Sequence, residues 1–111
     1  MKIRKQDSYI ILSDDRDDIA KFADYMEHIV PQRYEHMNLV IDLLKYKQLK
    51  LPHLLLFLKL SNYHRSTKHS FVLVNDAIDI DEIPDELIVT PTLEEAGDIV
   101  EMEEIERDLG F

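Results

Sequence analysis

Lys45, Lys47, Lys50 and His53 fall within nine residues of one another, just where the stretch DLLKYKQLKLPHLLLFLKL (42 to 60) turns from a strand-like run into a leucine-rich helix. Cations at a helix start attract carboxylates and phosphates through their own charge and the helix dipole together. Two neighbours limit that chemistry. Pro52 removes a free N–H, and the bulk of Leu49 and Leu51 blocks the close backbone approach that glycine loops permit. The stretch holds no Gly, Ser, Thr or Cys, so it is suited to holding a partner rather than to cradling a nucleotide or accepting a phosphoryl group.

Other chemistries have weaker support. The only glycines, Gly97 and Gly110, stand near the end of the chain, which leaves no place for a phosphate-binding loop or dinucleotide fingerprint. Asp42 with His53, and His64 with His69, are the best candidates for an acid–base or metal pair, but no histidine has a second ligand at the position four residues after it. Ser61, Ser66, Thr67 and Ser70 lack any nucleophile elbow. The absence of cysteine excludes disulfides, thiolate zinc sites and thiol catalysis together. The residues therefore argue against an enzyme, and no metal or cofactor is expected.

The charge layout is uneven. Of the 23 acids, fourteen lie from Asp76 onward against Arg107 alone, while the first 75 residues hold nine acids and twelve Lys and Arg. The acidic tail reads as a solvated helix face or a docking surface for a basic partner. Nucleic-acid binding needs positive charge, which is concentrated only between Lys45 and Lys68. Hydrophobic content of 45% beside 32% charged residues is ordinary for a globular protein, and 111 residues suit a single domain, 1–111. Because no apolar run approaches membrane-spanning length and MKIRKQDSY is followed by no signal-peptide core, a cytoplasmic location is expected.

Elements that would position these residues follow from periodicity. Residues 2 to 5 and 8 to 13 read as an N-terminal hairpin. SDDRDDIAKFADYMEHIVP reads as a helix with Asp caps, an apolar stripe at Ile19, Phe22, Ala23, Met26, Ile29 and Val30, and a stop at Pro31. NLVIDL (38 to 43), SFVLVN (70 to 75) and ELIVTP (86 to 91) look like strands buried on both faces. A helix of roughly 52 to 66, opened by Pro52, joins the first two of these in a right-handed parallel crossover. The last helix begins at a Thr92/Glu95 capping box and ends at Gly110, with Leu93, Ala96, Val100 and, shifted by one residue, Ile99, Met102, Ile105 and Leu109 forming its apolar face. Leucines 54, 55, 56, 58 and 60 with Phe57 ring nearly the whole circumference of the middle helix, more than one sheet face can cover. An exposed part of that ring would dock a partner or a second copy.

With its leading hairpin, the Asp42-Leu43 pair closing a buried strand, and TPTLEEA (90 to 96) before a terminal helix, the chain resembles the STAS domain, the family named for sulfate transporters and anti-sigma factor antagonists. It is also similar to short bacterial STAS-like proteins that carry the name ribonuclease Z. The metal chemistry of that name requires a His-x-His-x-Asp-His cluster, a spacing absent among His28, His36, His53, His64 and His69. The resemblance implies an α/β domain with a mixed sheet of four to five strands, an N-terminal hairpin and helices packed on the sheet. It also implies a phosphorylated Ser or Thr between the Asp-Leu strand and the next helix, and alignment on Asp42-Leu43 sets Lys50, Leu51, Pro52 and His53 there instead. The expectation is a non-enzymatic protein-binding or regulatory module without that switch, meeting its partner through Lys45, Lys47, Lys50, Leu51, Pro52, His53, Leu56 and Phe57. The partner is another protein or a second copy; the alternative is an accessory role in RNA processing through the basic 45–68 segment, and no membrane association is expected.

Overall fold

The computed structural model describes residues 1–110. Three short apolar stretches, β2 (Ile10–Ser13), β3 (Leu39–Asp42) and β4 (Phe71–Val74), form the centre of a sheet because their side chains are apolar on both faces. β1 (Lys2–Lys5) joins β2 antiparallel, and β5 (Val89–Thr90) completes the parallel set, giving the order β1-β2-β3-β4-β5. Both edges resist further pairing. β1 is four residues with three cations, and β5 is only two residues long.

The pleat sorts the core into two layers. Ile10, Leu12, Leu39, Ile41, Phe71 and Leu73 face α1 (Ile19–Ile29), α2 (Leu51–Leu55) and α3 (Leu58–Ser66), whereas Ile11, Val40, Val72 and Val74 face α4 (Leu93–Asp108). Two successive crossovers of one hand put α1 and the α2–α3 pair on the same face. The third connection, 75 to 88, has only a single 3₁₀ turn at Ile80–Glu82; Leu87 seals that face, with Ile78 and Ile83 packed against it.

Two sequence expectations are corrected. Pro31 does not stop the chain's helical course: the backbone widens into a π-helical turn over Val30–Tyr34, which accommodates the missing N–H and the ring, and Val30 remains fully buried. The single helix expected over 52 to 66 is two. At the break Leu56 N–H donates to the His53 carbonyl and Phe57 N–H to that of Leu54, both three residues back. Such a tightened turn eclipses side chains three apart, so Leu54 and Phe57 both enter the core, where Phe57 meets Phe22 edge-on at 6.3 Å between ring centres.

The α4 face has one close approach. A Cβ on Gly97 would stand 2.5 Å from the Tyr9 hydroxyl, so the absence of a side chain lets the ring of Tyr9 lie against the helix.

Candidate functional site

The ends of β2, β3 and β4 bring Asp14, the 43–50 loop and Asn75 together on one rim of the sheet. Asn75, almost fully buried, organises that rim. Its Nδ2 donates to the carbonyls of Leu43 (2.8 Å) and Tyr46 (3.0 Å), and its Oδ1 accepts from the N–H groups of Ala77 and Ile78. The loop that carries the lysines is thus clamped to the end of β4.

The lysines are not equivalent. Lys45 Nζ donates to the main-chain oxygens of Asp14 (3.0 Å) and Arg16 and pairs with the Asp17 carboxylate at 3.3 Å, so it ties the loop to the start of α1. Tyr46 donates its hydroxyl to Asp14 Oδ2 at 2.6 Å; burial first, then that bond and the negative charge of Asp14, push its ionisation far above the ordinary tyrosine range. It stays a donor. Lys47 pairs with Asp76 at 3.3 Å, both half in solvent. Lys45, Lys47, Leu49 and His53 line a shallow groove of about 360 Å³.

His53 serves as a cap. Its Nδ1 accepts the main-chain N–H of Lys50 at 3.0 Å, which fixes the first turn of α2 and leaves Nε2 as the protonated nitrogen of the neutral ring. Asp42, its expected acid–base partner, points to the other face of the sheet, accepting from Leu44 N–H and lying 3.9 Å from the Arg4 guanidinium. The two do not meet.

Of the residues expected to meet a partner, Pro52 and Leu56 are exposed and Leu51 and His53 partly so, while Phe57 is fully buried and takes no part in the surface. Leu55, part of the leucine ring but not of the expected partner contacts, stands beside Leu56; they are 45% and 38% exposed, left outside by the turn that draws Leu54 and Phe57 inward.

The far rim of the sheet holds the other histidines. His64 is fully buried, with Nε2 2.7 Å from the Met37 carbonyl and Nδ1 lacking a partner; its ring centre is 6.0 Å from that of His69. No group of three or more His, Asp or Glu is placed to hold a metal among the described residues. Ser61 and Ser70 are fully buried, so of the four Ser and Thr hydroxyls in that region only Ser66 and Thr67 reach the surface. Arg65, at the end of α3, pairs with Glu103 of α4, whereas Lys45 and Lys47 pair with Asp17 and Asp76, so three cations of the basic 45–68 segment are held by acids.

Asn38, Asn75, Tyr46 and Asp14 escaped the sequence reading, although an Asn at the end of FVLV and another before LVID are ordinary strand-boundary signals. The chain matches no family model and no curated protein. No helix among the described residues is long and apolar enough to cross a membrane.

Proposed function

We propose that this chain is a non-enzymatic, STAS-like binding module of the cytoplasm that holds another protein through the start of α2. The observation that carries the reading is the pairing of Leu55 and Leu56, both exposed, with a rigid helix start at Lys50, Pro52 and His53 that offers no Ser or Thr. Burying the exposed parts of two such leucines contributes at most about 1.5–3 kcal/mol each, a share of the affinity that further contacts with the partner would complete. The order of the strands, with the first antiparallel and the rest parallel, supports the STAS-like reading. Phosphate at this helix start would add about 1.5–2 negative charges and reset binding in a switched relative; here Lys50 and Pro52 make the surface permanently receptive.

The RNA-processing alternative draws less support, because Lys45, Lys47 and Arg65 are each engaged by an acid. Native extract passed over the wild type and over a Leu55→Asp/Leu56→Asp variant separates these readings. A discrete protein retained by the first and lost from the second supports the module. Retention of RNA, abolished by nuclease and unaffected by the substitutions, would replace it.

A further inference from the structure

The acidic helix carries a second surface, on the opposite face of the sheet from Leu55 and Leu56. In the first half of α4, Ala96 and Val100 sit on the sheet. In its second half the inward positions are Glu103, Glu104 and Arg107, which bond to Arg65, Ser70 and Asn38 at the rim. The apolar residues of that half point the other way: Met102, Ile105 and Leu109 are 55%, 59% and 66% exposed. Their three–four spacing makes one continuous seam along the helix, the pattern that receives a second helix knobs-into-holes. Glu101 flanks the seam on one side and Glu106 on the other, both exposed, and the helix's only cation, Arg107, is turned onto Asn38 and Ser70.

We propose that this seam docks an amphipathic helix of a partner protein that carries apolar residues on its contact stripe and Lys or Arg on either side. Charge selects the occupant. A second copy of α4 would set Glu101 and Glu106 against carboxylates, and an anionic membrane or nucleic acid would be repelled, whereas flanking lysines pair across the seam. The inference extends the proposed binding role to a second partner and uses none of the residues of the α2 surface.

The probe is a labelled three-heptad peptide with Leu on the contact stripe and Lys at the flanking positions, followed by fluorescence anisotropy, beside the same peptide with Glu in place of Lys. Wild-type protein binds the Lys peptide, more weakly as salt rises, and not the Glu peptide. Ile105→Asp, at an exposed site that leaves the fold intact by circular dichroism, weakens binding roughly tenfold or more. Glu101→Lys/Glu106→Lys reverses the preference, and Leu55→Asp/Leu56→Asp binds as the wild type does. No binding at low salt, equal binding by Ile105→Asp, or a wild-type dimer that this substitution dissociates in sedimentation overturns the proposal. If Leu55→Asp/Leu56→Asp alone loses the peptide, this inference fails while the α2 surface stands.

Discussion

Arg65 at the end of α3 and Glu103 in α4 meet around the rim of the sheet, Nη2 to Oε2 2.6 Å, although their helices cover opposite faces. Ser70 donates to the same carboxylate at 2.6 Å, so one side chain ties both helical layers to the start of β4.

Glu103→Gln should lower unfolding free energy at neutral pH by about 1–3 kcal/mol, read from urea denaturation, since it leaves a half-buried guanidinium without its counter-charge. Burial alone would raise the carboxyl's pKa, but the bonds from Arg65 and Ser70 and the charges of Arg65 and Arg107 outweigh it and hold it below the usual 4.5. A depressed carboxyl stabilises fully above its unfolded pKa, so that contribution is lost as pH falls below 4.5 and through the folded value. The Gln variant should lose less stability over that acid range. Parallel pH curves for the two proteins would contradict this.

His64 gives a pH dependence of its own. Burial, assisted by His69 and Arg65, keeps its ring neutral against the opposing pull of the Met37 carbonyl and Glu35, so its pKa lies below the ordinary 6.5. The unfolded chain binds the extra proton first. Stability is therefore fully present above pH 6.5 and falls as pH drops through that value toward the folded pKa. His64→Gln, which keeps a donor for Met37, should flatten melting temperature between pH 7 and pH 5 relative to the wild type, a span that brackets the ordinary histidine titration at about 6.5. An unchanged slope would remove His64 as the cause.

How much of this was legible before the structure depends on which force decides each element. β2, β3 and β4 were readable because runs such as FVLV leave no polar side chain to face water. The caps at Asp18 and Thr92 were readable because their bonds are local: each accepts from an N–H three residues on. The break after Leu55 was not, because LPHLLLFLKL is apolar at every phase and only the core beneath Phe22 selects Leu54 and Phe57. The outward turn of Met102, Ile105 and Leu109 was hidden for a different reason: Glu103 and Arg107 look like surface residues until Arg65, Ser70 and Asn38 are seen beneath them. The partners of Lys45 and His53, main-chain groups of Asp14, Arg16 and Lys50, carry no sequence signature.

Asn75→Ala should cost about 2–4 kcal/mol, the sum of several unpaired buried main-chain groups, and should do so locally. Hydrogen exchange at Tyr46 to Leu51 should accelerate more than at the Phe71 to Val74 strand. Uniform acceleration would mean that Asn75 acts on global stability alone and does not clamp the loop.

Gly97→Ala sets a helix-propensity gain of about 0.5–1 kcal/mol against a displaced Tyr9 ring. We expect net destabilisation in the wild type and net stabilisation of about 0.5–1 kcal/mol in a Tyr9→Ala background. A double-mutant cycle in urea measures both; equal effects in the two backgrounds would show that the 2.5 Å approach carries no energetic weight.

The claim that the start of α2 is the working surface is tested most directly by a photo-reactive amino acid introduced in living cells at Leu56, with Arg33, exposed on the π-helical turn, as the control position. One discrete cross-linked protein is expected from position 56 and none of that mass from position 33. Equal labelling from both positions, or none at 56 while 33 captures a partner, would contradict it.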